Sequence, residues 1–358
     1  MRLGGLNLVD YRNFETVRLR FESRRNLFLG PNGQGKTNLL EAIGLSSALR
    51  SFRTSEMRDL IRWDRPRAEL LFCFEGSDGG ETETFVGLNR TGGKEVSVDG
   101  DKVVRFGDFI GRFPSVVFCS EDLRLPRGSP GKRRKFLDMA FSSSDGEYLE
   151  ALRRYHRALR ERNALLRQDG MDAELEAFEN EMSSAGAILV NGRREGLAAL
   201  GDHFARRYQM IGGGAEDPVL HYLPDAEFET VEDFARLLGE SRTRDRLVKT
   251  THRGPHRDDF TFFLNDHDAR KFASEGQQRS IVLALRFGQT DFLLERRGVR
   301  PLVLIDDVLG ELDSERRANF RSCLDEESQV FATSTETFSE DADEWETFKA
   351  NDGRFSKL

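Results

Sequence analysis

Apolar and polar residues alternate along Val17-Arg18-Leu19-Arg20-Phe21, the period of a strand with one face in water. Together with Leu3 to Leu8 and Asn26 to Leu29, this pattern predicts three short strands at the start of the chain. A helical stretch follows to about Arg50, where Ser51-Phe52-Arg53-Thr54-Ser55 interrupts it. From Glu69 to Val104 the period returns to two. Strands are expected at Glu69 to Glu75, Glu81 to Leu88 and Glu95 to Val104, with turns at Gly76 to Gly80, Gly92-Gly93 and the hairpin-type Asp99-Gly100. Ser115 to Cys119 reads as a buried strand. At Ser129 the period changes again, with Ser129 as a helix cap and helical spacing to about Ile211. Tyr148, Leu152, Tyr155, Leu159 and Leu166 recur as in a coiled coil, with a break at Arg162-Asn163. After a turn at Asp169-Gly170, Leu175, Phe178, Met182, Ala185 and Leu189 mark a second helix. The pair predicts an antiparallel helical hairpin, its first arm about 35 Å long at 1.5 Å per residue. Gly212-Gly213-Gly214 closes it. Beyond lie an extended Pro218 to Leu223, a helix from Val231 to about Leu247, a strand at Phe260 to Leu264 and an apolar helix from Ser280 to Leu294. Buried strands at Leu302 to Ile305 and Gln329 to Ala332 come last.

The chemistry concentrates where strands end. Gly30-Pro31-Asn32-Gly33-Gln34-Gly35-Lys36-Thr37 fits the phosphate-loop pattern G-x-x-x-x-G-K-[ST], between the strand end Leu27-Phe28-Leu29 and the helix start Asn38 to Ile43. Glycines there let backbone N–H groups close around phosphate oxygens at a helix N-terminus, whose dipole favours an anion. Lys36 is placed for the β- and γ-phosphates and Thr37 for Mg²⁺. The strand Leu302 to Ile305 runs into Asp306-Asp307, the Walker B arrangement: Asp306 for Mg²⁺, Asp307 to orient or deprotonate the attacking water. Ser274-Glu275-Gly276-Gln277-Gln278-Arg279, ahead of the apolar helix, makes a second anion site. Arg50 and Arg53 are close in sequence to the phosphate loop, either to touch ligand or to sit in a solvated loop. His252 and His256 are four apart, but Gly254-Pro255 between them breaks any helix, which argues against a metal pair. That segment reads as a loop lining a site or a subdomain junction. Basic residues from Arg153 to Arg162 offer phosphate contacts or a merely solvated face.

Composition narrows the class. The 358 residues are enough for two domains, and 38% hydrophobic with 32% charged residues is the balance of a soluble protein. The chain has no apolar run of membrane-spanning length and its first residues lack a signal-peptide core, so a cytoplasmic location is expected. Cys73, Cys119 and Cys323 follow no metal spacing. The net charge of −8 argues against nucleic acid only until its distribution is seen. Nine acidic side chains and no Lys or Arg fall between residues 322 and 348, so the rest is close to neutral and free to carry a basic face. The acidic stretch itself reads as a solvated C-terminal face.

Taken in order, these motifs resemble the ABC-type ATPase heads of the SMC and DNA-repair group, and within it the RecF family of recombination mediators. The carriers span nearly the whole chain: Gly30 to Ile43, Ser51 to Thr54, Ser120 to Leu123, Gly128 to Asp138, Arg160 to Leu166, Gly254 to Asp259, Ser274 to Arg279 and Leu304 to Asp313. The short arm, about 120 residues between the head halves, separates RecF-like chains from SMC proteins. The resemblance implies an α/β fold: an ABC-type P-loop ATPase head with an antiparallel β wing and an inserted α-helical short coiled-coil arm. Residues 1–125 and 249–358 would form the head and 126–248 the arm. It implies ATP and Mg²⁺, with Gly30 to Thr37 and Asn38 on the nucleotide and Ser274, Gly276 and Gln277 of a second copy closing over it. Asp307 and Lys36 would be catalytic, Thr37 and Asp306 the metal ligands. A homodimer bound to DNA at single-strand/double-strand junctions, working with RecO and RecR to load RecA, completes the expectation. Three departures predict slow hydrolysis stimulated by DNA: Asp307 stands where a Glu is usual, Thr333-Ser334-Thr335 replaces a His, and no Gln occurs between Gln34 and Gln168. Ser120 or Glu121 is left for the missing Gln's place. Another short-arm SMC-like DNA-repair ATPase, a transport ATPase subunit and a small-molecule P-loop kinase are the competing readings; the helical arm counts against the second, and the third needs neither the second anion site nor a dimer.

Overall fold

The computed structural model describes residues 1–76, 79–212, 216–336 and 345–358. Part of the Gly76 to Gly80 turn, Gly213-Gly214, and Glu340, Asp341, Asp343 and Glu344 of the acidic stretch lie outside the described residues. Two compact units emerge: Met1–Leu123 with Gln289–Leu358, and Arg124–Gly288. Among the described residues no helix is long and apolar enough to cross a membrane.

The first unit begins with β1 (Arg2–Tyr11), β2 (Phe14–Arg20), β3 (Arg25–Leu29) and α1 (Lys36–Ala48). There follow β4 (Arg67–Glu75), β5 (Glu81–Asn89), β6 (Lys94–Val98), β7 (Asp101–Lys102), the short α2 (Phe106–Phe109) and β8 (Ser115–Cys119). An antiparallel sheet takes the order β2-β1-β4-β5-β6-β7. In β4 every second residue, Ala68, Leu70, Phe72 and Phe74, is buried, as its alternation requires. The stretch from Glu95 to Val104 is two strands, reversed at Asp99 (φ 52°) and Gly100 (φ 85°), both in the left-handed region that a tight hairpin needs.

The second unit contains α3 (Pro130–Ser144), α4 (Gly146–Arg167), α5 (Asp172–Gly212), β9 (Pro218–Leu223), α6 (Val231–Val248), β10 (Asp259–Leu264), β11 (His267–Asp268) and α7 (Ala269–Phe272), and receives the first part of α8 (Glu275–Arg297). Ser129 stands at the cap of α3 but makes no side-chain cap bond; Pro130 at the first helical position supplies the start. Helix α4 is unbroken at Arg162-Asn163. Arg162 is wholly buried and fills the core position where the apolar repeat lapses, pairing with Glu179 at 2.9 Å and Asp245 at 2.7 Å. The compact unit continues past 248 to Gly288. The reason is pairing: β10 lies antiparallel on β9 (Phe262 opposite Leu220), and buried Arg133 holds Asp259 at 2.7 Å.

The chain returns to the first unit with β12 (Leu302–Asp306), α9 (Ser314–Ser322), β13 (Val330–Ser334), β14 (Glu346–Asn351) and β15 (Arg354–Lys357). A second six-stranded sheet has the order β15-β14-β3-β13-β12-β8, parallel from β14 to β8. Strands β3, β13 and β12 are buried along most of their length, as strands covered on both faces must be. The solvated C-terminal face expected from charge is corrected at its end: Phe348 and Ala350 of β14 are buried beside β3. Phe21, Phe28, Phe331, Phe348 and Phe355 join in edge and stacked contacts, with Phe21 and Phe331 centroids 4.9 Å apart. This aromatic cluster fixes the strand that feeds the phosphate loop.

Candidate functional site

Strand β3 ends at Leu29 and the chain turns through Gly30–Gly35 into α1. Gly35 has φ 98°, and a Cβ on it would meet Phe14 at 2.8 Å and Asn13 at 2.9 Å. A Cβ on Gly30 would lie 2.6 Å from the Ala350 carbonyl oxygen. Both glycines are therefore required by neighbouring backbone and side chains as well as by the loop's own path. Gly33 has φ 81° and open space around it, and with Pro31 and Asn32 it is exposed. The loop thus presents backbone to solvent at its tip and is tightly held at its base. Helix α1 is apolar on nearly all sides, with Leu39, Leu40, Ala42, Ile43 and Leu45 all fully buried, so its N-terminus is a fixed point.

Lys36 is buried, and its ammonium donates to the carbonyl oxygens of Gly30 and Pro31, the latter at 2.8 Å. Burial lowers its pKa, while the carboxylates of Asp307 and Asp306 pull the other way. Thr37 Oγ1 donates to Asp306 Oδ1 at 2.7 Å, and Thr333 Oγ1 donates to the same oxygen at 3.1 Å. The backbone N–H of Asp307 donates to Thr333 Oγ1 at 3.0 Å. Asp306 is raised in pKa by burial, and its bonds to Thr37 and Thr333 oppose that rise. Asp307 turns out of β12 with φ 55°, an uncommon conformation for a residue with a side chain. The Thr37 hydroxyl and Asp306 carboxylate form an oxygen-only donor pair, which suits a hard divalent ion such as Mg²⁺.

Two supports were not visible in the sequence pattern. The turn between β14 and β15 reaches the phosphate loop: Asp352 N–H donates to Gln34 Oε1 at 2.5 Å and Gly353 N–H to the Gln34 carbonyl at 3.2 Å. Asp352 (φ 47°) and Gly353 (φ 74°) make the tight turn that permits this. On the other side, Asn38 donates to Asn13 at 2.8 Å and accepts from Arg53 at 2.7 Å. Glu41, with no exposure, accepts from Arg12 at 2.7 Å through both oxygens and from Tyr11 at 3.2 Å. The interruption after α1 thus returns Arg53 to the start of that helix, where its charge also bears on Asp306.

A family model described as the RecF/RecN/SMC N-terminal domain matches residues 2–356. The DNA replication and repair protein RecF of Geotalea daltonii is 36% identical over 98% of this chain and 97% of its own length. The chain belongs to the RecF family. A solved structure of the recombination mediator RecF with ATP superimposes with a TM-score of 0.91 at 32% identity, covering 99% of this chain and 97% of that one. The SMC head of Pyrococcus furiosus, at 16% identity and a TM-score of 0.55 over 99% of this chain and 95% of that one, shares the fold. RecF and SMC heads thus define the architecture: α/β, with the ABC-type ATPase head.

Within this RecF-family chain the site residues expected from sequence fall in both units. Gly30 to Asn38, Asp306, Asp307 and Thr333 belong to the first. Ser274, Gly276 and Gln277 belong to the second. Helix α8 starts at Glu275, five residues ahead of the Ser280 start expected, so the Ser274 to Arg279 motif is its first turn. Ser274 Oγ accepts from the Gln277 N–H at 3.2 Å and Gln277 Oε1 accepts from the Ser274 N–H at 2.6 Å, a reciprocal capping box. The S-x-x-Q spacing was the signal for that start. Gln277 also donates to Glu216. Among the described residues no cluster of His, Cys, Asp and Glu is arranged to hold a metal ion. His256 instead shares a hydrogen bond with the Tyr155 hydroxyl at 2.8 Å and faces the Thr251 carbonyl at 3.1 Å, and burial pushes its pKa down to about 4. Ser120 and Glu121 lie in the short turn Ser120–Arg124 after β8.

Proposed function

We propose that this chain is an ATP-switched, DNA-binding recombination mediator with slow, DNA-stimulated ATP hydrolysis. The observation that carries the reading is the Thr37–Asp306 bond of 2.7 Å beside the buried Lys36, which brings phosphate-loop and Walker B residues from opposite ends of the chain to one point. In this reading Gly30 to Thr37 and Asn38 cradle the phosphates, Lys36 neutralises the β- and γ-oxygens, and Thr37 and Asp306 hold Mg²⁺. Bound there, Mg²⁺ would offset charge on the transferring phosphoryl group. Asp307 orients and accepts a proton from the attacking water. Its side chain is one methylene shorter than the usual Glu, which favours slow turnover.

Ser274, Gly276 and Gln277 of a second copy close over the phosphates, so two ATP molecules bridge a two-fold homodimer and hydrolysis releases it. The relatives' names, DNA replication and repair protein and RecFOR-pathway mediator, support DNA as the ligand and RecO and RecR as partners. Binding at single-strand/double-strand junctions, help in loading RecA and a cytoplasmic location complete the proposal. Size-exclusion chromatography of Asp307→Asn with ATP and Mg²⁺ tests the switch. A shift from monomer to dimer is expected, and it is lost in Asp307→Asn/Ser274→Arg. A single species under all conditions overturns the dimer model.

A further inference from the structure

Two features singled out in the sequence, the basic run in the arm and the Gly254 to Asp259 motif, have no role in the nucleotide site. Both lie in the second unit and they adjoin. On α4, Tyr148, Ala151, Tyr155, Ala158, Arg162 and Leu166 are buried. The opposite side is divided by charge. Arg153, Arg157 and Arg160 recur at steps of four and three, so they share one exposed line. Glu147, Glu150 and Glu161 fall to one flank of it. Not all of the basic run belongs to this line: Arg162 is buried in its ion network and Arg154 is held by Glu181 at 2.6 Å. Among the described residues Arg153 has a loose ion pair with Glu150, at 3.9 Å.

The motif loop is seated against the same helix. His256 bonds to Tyr155 of α4, the Gly254 N–H donates to Asp225 at 3.0 Å, and buried Arg193 donates to the Pro255 carbonyl at 2.6 Å. Gly254 is obligatory, with φ 127° and the Tyr155 hydroxyl 2.6 Å from where a Cβ would be. Asp258 and Asp259 turn inward to Arg193 and Arg133. Arg253 and Arg257 are left half-exposed, each with one loose acidic neighbour, Asp225, at 3.9 Å and 3.5 Å.

We infer that Arg153, Arg157 and Arg160 on the exposed line of α4, with Arg253 and Arg257 of the loop seated at Tyr155 as a second cationic cluster of the same unit, bind the phosphate backbone of duplex DNA. Guanidinium groups fork toward phosphate oxygens, and a rigid helix fixes their spacing. The three helix positions span about 10 Å, roughly three nucleotides of rise along one strand. Such contacts touch the backbone alone and carry no sequence preference. This inference rests on the DNA-binding reading above.

Fluorescence anisotropy of a duplex oligonucleotide over a salt series tests it, using the full chain with ATP and Mg²⁺. Arg153→Gln/Arg157→Gln/Arg160→Gln should lower the slope of log affinity against log salt by about 2 to 3, and Arg253→Gln/Arg257→Gln by about 1 to 2, near one unit for each phosphate no longer neutralised. Binding of a fluorescent ATP analogue should be unchanged in both. Arg194→Gln/Arg236→Gln, which removes exposed charge elsewhere in the unit, is the control. If both test variants keep the parental slope, or the control falls by as much, the surface is wrong while DNA binding stands. A parent that binds ATP and no DNA overturns the proposed function as well.

Discussion

Asp306 accepts two hydroxyl bonds on one carboxylate oxygen, and burial raises its pKa despite them. Protons therefore compete for that oxygen at a higher pH than at an exposed aspartate. As pH drops, Mg²⁺-dependent nucleotide affinity is expected to begin falling at a higher pH than the range in which an exposed aspartate titrates. Calorimetric titrations with and without Mg²⁺ should show this in the parent and its loss in Asp306→Asn. His256 gives the opposite kind of handle, on stability. Its pKa is lowered from 6.5 to about 4 by burial, so between those values the unfolded chain binds the proton and the folded chain does not. Folding stability should rise with pH across that window, and denaturant midpoints of His256→Gln should show a flatter slope there. Of these features, the place of Asp306 at the end of a buried strand was legible, because an apolar run ending in carboxylates is a strong pattern. The shared Thr333 hydroxyl was not, since its strand lies beside β12 only through sheet pairing.

At the scale of elements, the turn joining β14 and β15 braces the phosphate loop through two bonds to Gln34. Inserting two glycines after Asp352 should preserve the strands and lift the turn away. ATP affinity is then expected to fall about tenfold, near the worth of one or two hydrogen bonds, with little change in the melting temperature of the free protein. Unchanged affinity in a folded variant rules the brace out as a contributor. Helix α4 makes a second case. Arg162→Ala removes the buried guanidinium shared by Glu179 and Asp245, which keep Arg242 and His252 as their remaining partners, and should cost about 3 kcal/mol in chemical denaturation. The sequence showed α4 and α5 through their apolar spacing, yet a charged residue at a core position read as an interruption. Strands β14 and β15 were hidden for a related reason: only Phe348 and Ala350 of β14 are buried, and acidic residues precede them.

Over the whole molecule, phosphate-loop and Walker B residues belong to one unit and the Ser274 to Gln277 turn to the other. Motif order made each motif legible, because each is local, whereas the sequence expectation grouped Ser274, within 249–358, with the phosphate loop. The unit boundary at Gly288 was not legible, as it depends on long-range pairing of β10 with β9 and on buried arginines that reach across the sequence. The brace on Gln34 joins residues 318 apart. A ribosome therefore completes the phosphate loop long before it makes the turn that holds it. Until residues 346–358 have emerged, a nascent chain has the whole Gly30 to Thr37 loop without its brace, so any ATP affinity that depends on the brace is expected only after the β14–β15 turn has been made.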